Sequence, residues 1–157
     1  MSHPVGEFIQ HVSDTSAWVA HYRAIESERP DSLFKDPFAQ ILVGDRSLSV
    51  GKMQPEASKW AHWTVVMRTY IIDQMIKDLI SKGVTTFLNL GAGLDSRPYR
   101  MNLPAEVQWI EVDFPHIIEH KRVQLEKFKP SCKLETIALD LSNRALRQSF
   151  FEELAQK

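Results

Sequence analysis

Between Thr85 and Asp140 three short β-type runs alternate with two helical stretches, and this order restricts the fold more than any other feature of the chain. Thr85-Thr86-Phe87-Leu88-Asn89-Leu90 is short, mostly apolar and ended by Gly91. Val107–Asp113 and Leu134–Asp140 repeat that character. Helical segments are expected between them, near Ser96–Met101 and His116–Phe128. Strand, helix, strand, helix, strand predicts an α/β fold with a parallel sheet and crossover helices.

The stretch before the first strand reads as helical. Asp14 or Thr15 can cap a helix whose apolar side is Trp18, Tyr22 and Ile25, and Arg29-Pro30-Asp31 should end it. Asp36-Pro37 reads as a cap with proline at the first helical position, so that Phe38, Ile41 and Leu42 face the core. Asp45 to Gln54 reads as loop. The strongest helix is expected from Glu56 to Ser81, where Trp63, Met67, Ile71, Met75 and Leu79 recur every four residues beside Ile72, Ile76 and Ile80. Gly83 is its natural stop. The expected organisation is one structural domain, with a helical cap region over 1–83 and a partial Rossmann-like sheet over 84–157. A chain of 157 residues supports one such domain.

Composition then excludes several classes of function. Nineteen basic against twenty acidic residues give a formal charge of −1, which argues against a grip on nucleic acid or an anionic membrane. The single cysteine, Cys132, cannot form an internal disulfide. No apolar run reaches membrane-spanning length and no export signal is visible, so a cytoplasmic protein is expected.

Chemistry is expected at Leu90-Gly91-Ala92-Gly93-Leu94-Asp95-Ser96, which follows the first strand and opens a helix. Glycine has no Cβ, so the backbone can turn tightly and a ligand can lie against it. Ligands of such sheets bind at the carboxyl ends of the strands. Asp113 ends the second strand, 20 residues after Gly93, where its carboxylate can accept from both hydroxyls of a ribose. Asp140 ends the third strand, placed to meet an adenine edge. The competing reading makes the glycines a plain tight turn and both aspartates helix caps. A dinucleotide site wants a third glycine where Ser96 stands and a pyrophosphate beside Asp95, an unfavourable pairing of negative charges. S-adenosyl-L-methionine has no phosphate and carries a cationic sulfonium, which suits an acidic turn better.

Three stretches carry a resemblance to a known family: Arg23–Ala39, Asn89–Arg100, and Glu111-Val112-Asp113-Phe114-Pro115 with His116–Lys121. The chain resembles the leucine carboxyl methyltransferase family, in its bacterial branch of S-adenosylmethionine-dependent methyltransferases. The resemblance implies a Rossmann-like methyltransferase fold, here cut to about three parallel strands with an N-terminal helical cap. It implies that Arg68 holds the donor carboxylate and that Gly91 and Gly93 lie against the methionine part. Asp113 would bind the ribose, and Asp140 with Leu141 the adenine. It implies O-methyl transfer to a carboxyl or hydroxyl of a small molecule or peptide. No acid, base or metal is assigned. Arg97 and Arg100 are open between a structural role and solvation or pairing with Asp31 or Asp95.

The resemblance implies a considerably longer protein, so these residues are expected to carry the donor half without the acceptor half. A rival from another class is therefore a non-catalytic donor-binding remnant or interaction module, and a third reading is a nicotinamide-dependent oxidoreductase. The strand over 85–90 is expected to lie at an open edge with apolar faces uncovered. It should pair with another copy or a complementing chain, unless the chain is a truncated product without turnover. His116 and His120, four apart on a helix, read as an exposed face with Ile117 and Ile118 inward, not as a zinc pair. The four tryptophans read as core.

Overall fold

The computed structural model describes residues 14–44 and 55–156. The loop expected over 45–54 lies outside them. Three strands, β1 (Thr86–Leu90), β2 (Gln108–Asp113) and β3 (Lys133–Ala138), form one sheet in the order β1-β2-β3, and both pairings are parallel. Leu90 is opposite Val112, so the glycine turn after β1 lies beside the end of β2. The fold is α/β and Rossmann-like, as the alternation predicts.

Among the described residues six helices accompany the sheet: α1 (Asp14–Glu28), α2 (Ala39–Val43), α3 (Pro55–Ser81), α4 (Arg97–Arg100), α5 (Pro115–Gln124) and α6 (Arg144–Leu154). None of them is long and apolar enough to cross a membrane. Strand geometry sends alternate side chains to opposite faces. On one face Phe87 stacks on Trp109, and both pack against Ile72, Ile76 and Ile80 of α3. On the other, Ile110 and Val112 pack against Phe150 of α6. Asn143 caps α6 by accepting from the backbone N–H of Ala145 and Leu146, which satisfies two otherwise orphaned donors.

Two helices turn differently from their sequence expectation. In α1 the buried residues are Ala17, Ala20, Tyr22 and Ala24 together with Arg23 and Glu26, while Ile25 is exposed. Small alanines let α1 approach closely, and the buried charges find partners elsewhere in the fold. In α3 the row at Trp63, Met67, Ile71, Met75 and Leu79 is the exposed one. The helix packs instead through Val65, Val66, Thr69, Asp73 and Ile76. The reading of the tryptophans as core holds fully only for Trp109; Trp18 is half-buried. Trp60 is 80% exposed and Trp63 44%. Burial of α3 follows its ionic contacts as much as its apolar ones.

The imidazole centroids of His21 and His62 lie 6.1 and 5.6 Å from that of the Tyr22 ring. His21 Nδ1 and His62 Nε2 are buried without a hydrogen-bond partner among the described residues. Burial pushes both histidines below their usual pKa of 6.5. The folded state therefore binds fewer protons than the unfolded chain in this range, so stability is present above about pH 6.5 and is lost as pH falls below it. The thermal midpoint should drop between pH 7.5 and 5.5, above the range where carboxylates titrate. A His21→Phe, His62→Phe double variant should show a flatter profile. An equal slope in the variant would assign the dependence to other groups.

Candidate functional site

The turn between β1 and α4 has a geometry that only glycine adopts without strain. Gly91 and Gly93 have φ of 66° and 54°, in the left-handed region that a Cβ disfavours. At Gly93 a Cβ would also stand 3.1 Å from the Ser16 Cβ of α1. Gly91 N–H and Ala92 N–H both donate to the Val112 carbonyl, at 2.8 and 3.1 Å. Gly93 N–H donates to Asp113 Oδ2 at 2.6 Å, and Phe114 N–H to Asp113 Oδ1 at 2.7 Å. The Asp113 carboxylate thus shapes the turn. Each of its oxygens takes one N–H and keeps further acceptor capacity.

A cleft of about 570 Å³ opens over this turn, within the size range of small-molecule sites. Val19 and Arg23 of α1 line one side, Arg68 and Ile72 of α3 the other, and Leu90 with Gly91 the floor. Arg68 is exposed and has no ionic partner among the described residues. The arrangement can hold an anion at Arg68 and present backbone to a ligand at Gly91.

A buried ionic network fastens the turn from behind. Asp73 of α3 accepts from Arg97 Nε at 2.7 Å and is clasped by both terminal nitrogens of Arg100, each at 2.7 Å. Arg97 also pairs with Asp95, whose other partner is the Asn89 amide at 3.0 Å. Asp36 Oδ2 accepts from Ser96 Oγ at 2.6 Å and pairs with Arg23 at 3.0 Å. Its Oδ1 accepts from the N–H of Phe38 and Ala39, so Asp36 does cap the turn into α2. Arg23 donates in turn to the Leu94 carbonyl. Burial opposes ionisation of Asp95, yet Arg97, Arg23 and Lys121 outweigh it and hold its carboxyl far below the usual range. Further along β2, Glu111 pairs with Lys121 of α5 at 2.6 Å. Burial pushes Glu111 upward against that partner.

The expected site residues are distributed unevenly. Arg68 and Gly91 line one cleft, whereas Gly93 and Asp113 are joined to each other by a hydrogen bond and do not line it. Asp140 and Leu141 follow β3, and Leu139 N–H donates to the Asp113 carbonyl, which brings this segment beside the turn. The Asp140 carboxylate folds back onto Ser142, accepting from its N–H at 2.8 Å and its hydroxyl at 2.6 Å. Neither Asp140 nor Leu141 lines the cleft. The acidic character expected of the turn is neutralised, because Asp95 is spent on Arg97. Arg97 and Arg100 are neither solvated nor paired with Asp31, which binds Arg29 instead. Of the expected partners Arg97 takes Asp95, and Asp73 joins it. His120 Nε2 lies 2.9 Å from the Leu42 carbonyl and Ile117 is buried, so this helix face ties α5 to α2. Sequence reasoning read Asp36 as a cap but missed its buried pairing with Ser96 and Arg23, and it missed Asp73. A signal existed for Asp73: a carboxylate between Ile72 and Ile76, three residues from Ile76 and four from Thr69, needs a buried partner.

A parallel sheet with a glycine turn after its first strand, an acid at the end of its second and a cleft beside that turn defines a Rossmann-like unit. The chain belongs to the leucine carboxyl methyltransferase family, which it matches over residues 16–156. A relative from Streptomyces coelicolor is 36% identical, over 81% of this chain and 48% of its own length. One from Mycobacteroides abscessus is 32% identical, over 93% of this chain and 51% of its own. One from Mycolicibacterium smegmatis is 31% identical, over 92% and 54%. All three carry provisional names as S-adenosyl-L-methionine-dependent methyltransferases. The chain spans about half the length of these curated relatives.

Proposed function

We propose that this chain is the donor-binding half of an S-adenosyl-L-methionine-dependent O-methyltransferase. The observation that carries the reading is the guanidinium of Arg68, without an ionic partner among the described residues, across a cleft of about 570 Å³ from the Gly91 turn. Family membership and the names of the relatives support the same donor.

The residues present fit this donor. Arg68 suits the carboxylate of its methionine part, since guanidinium and carboxylate match in charge and fork geometry. The left-handed turn leaves the backbone at Gly91 open to close approach, while Gly93 packs against Ser16 of α1. The unused acceptor positions of Asp113 suit a ribose diol. Asp140 and Leu141 suit the adenine through backbone and apolar contact, because the Asp140 carboxylate already serves Ser142. The donor supplies an electrophilic methyl carbon on a sulfonium. The protein's own contribution is placement, since in-line attack needs the acceptor oxygen aligned and water kept out. We assign the acceptor as a carboxylate or hydroxyl of a small molecule or peptide. A carboxylate acceptor is ionised near pH 7 and needs no base from the protein.

Calorimetric titration with S-adenosylmethionine, its demethylated product and NAD tests the reading. Both sulfur ligands should bind and NAD should not. Preference for NAD would move the protein to the oxidoreductases. An Arg68→Ala variant should bind S-adenosylmethionine about tenfold more weakly, the loss of one charge-assisted contact at an exposed site. Its affinity for adenosine, which lacks the carboxylate, should stay within about twofold. Equal weakening of both ligands would make Arg68 structural.

A further inference from the structure

A second cavity, of about 380 Å³, shares a support with the cleft at the Gly91 turn. Asp73 binds Arg97, which lines that cleft, and Arg100, which lines the second cavity. No lining residue is common to the two spaces. The second one also falls within the size range of small-molecule sites. Three separate parts of the chain build it. The connection from α1 to α2 supplies Phe34 and Lys35, α3 supplies Gln74 and Lys77, and the end of α4 supplies Arg100 with Asn102 beyond it.

The charges that line this cavity do not balance. Its cations are Lys35, Lys77 and Arg100, and among the described residues its only carboxylate is Asp73. That carboxylate is already occupied by both terminal nitrogens of Arg100 and by Arg97 Nε, all at 2.7 Å. Lys77 is exposed and has no ionic partner among the described residues. Lys35 Nζ donates to the carbonyls of Ser27 and Arg29, each at 2.8 Å. Those bonds hold the ammonium in place and leave one of its three N–H groups uncommitted. Gln74 and Asn102 are exposed, and their side-chain amides make no hydrogen bond among the described residues. The cavity also has an apolar part. Phe34 is half-buried, with the Arg100 guanidinium carbon 5.4 Å from its ring centroid, and Met101 is buried. Because Asp73 clamps Arg100, this wall is ordered before any ligand arrives, which lowers the cost of binding.

We propose that this cavity binds a phosphate monoester with an apolar body, its phosphate at Lys35 and Lys77 and its body against Phe34 and Met101. The fork of Arg100, which would match a carboxylate, is closed by Asp73. Two ammonium point charges remain. They suit a phosphate monoester, which carries about −1.5 to −2 near neutral pH, better than a singly charged carboxylate. Gln74 and Asn102 add amide donors and acceptors for the rest of the ligand. An isolated exposed lysine is ordinarily just solvated. Lys77 differs because it shares a concave space with a second, fixed ammonium and no unoccupied carboxylate. This inference does not depend on which ligand the cleft at Gly91 takes.

Phenyl phosphate is the probe, titrated into the 157-residue chain at about pH 7.5, where the phosphate is doubly charged. Heteronuclear NMR should show saturable shifts of the Gln74 and Asn102 side-chain amides. Benzoate should bind there at least about fivefold more weakly, for want of one charge, and neutral benzyl alcohol should not bind. Lys77→Gln should weaken phenyl phosphate about tenfold, the loss of one charge-assisted contact. Its thermal midpoint should stay unchanged, since Lys77 is exposed and unpaired among the described residues. Arg68→Ala should shift the same two amides as the parent chain does. Absence of saturable shifts, unchanged affinity in Lys77→Gln, or shifts that vanish in Arg68→Ala would each overturn the proposal. Benzyl alcohol or benzoate binding as tightly as phenyl phosphate would overturn it as well.

Discussion

Replacing Asp73 with alanine should destabilise the fold by about 3–5 kcal/mol, the range for removing one partner of a buried ionic contact. The carboxylate is 5% exposed and binds two arginines, Arg97 and Arg100, at 11% and 4%. Taking it away leaves two buried guanidinium groups without the carboxylate they share. Arg97 retains Asp95 at its other end, and Arg100 retains only Asp36, 3.7 Å from its Nε. A loss of that size is a large fraction of the usual stability of a domain. Urea unfolding at pH 7 measures it. Asp78→Ala, which breaks an exposed pair with Lys82, serves as the control and should change stability by less than about 1 kcal/mol. A similarly small effect at Asp73 would mean that the network is hydrated and carries little of the fold.

Asp113→Ala should weaken S-adenosylmethionine binding about tenfold to more than a hundredfold, which corresponds to about 1.5–3 kcal/mol for hydrogen bonds to a charged group. Two effects act together. The ribose acceptor is lost, and the N–H groups of Gly93 and Phe114 lose the carboxylate that shapes the turn. Adenosine should weaken in parallel with S-adenosylmethionine, because the ribose is common to both. That pattern is opposite to the one expected of Arg68→Ala, so the two variants assign the two ends of the donor separately. Unchanged affinity in folded Asp113→Ala protein would remove the ribose assignment.

Local features of the fold are legible in the order of residues alone. A switch from four-residue to two-residue periodicity marks the boundary between α3 and β1, since each backbone geometry imposes its own side-chain spacing. Glycines 91 and 93 announce a left-handed turn because other residues are strained there. Asp113 at the end of β2 follows from the strand's length. Asp140 shows the limit of that kind of reading. It does lie just beyond β3, yet its carboxylate turns to Ser142, a choice made by two side chains only two residues apart.

The faces of the helices are not legible in the same way. In α3 the row with the larger side chains, Trp63 and Met67, suggests the core side and is the exposed one. The packed side carries both Ile72, Ile76 and Ile80 on the sheet and Asp73, which reaches Arg97 and Arg100, 24 and 27 residues away. Likewise Asp36 is bound to Ser96 across 60 residues. The sequence by itself determined the order of strands and helices, the glycine turn and the acid beside it, because these rest on short-range sterics. Only the tertiary structure decided which charges are buried together and which apolar faces stay bare, because desolvation and pairing depend on neighbours that the chain brings close only when it folds.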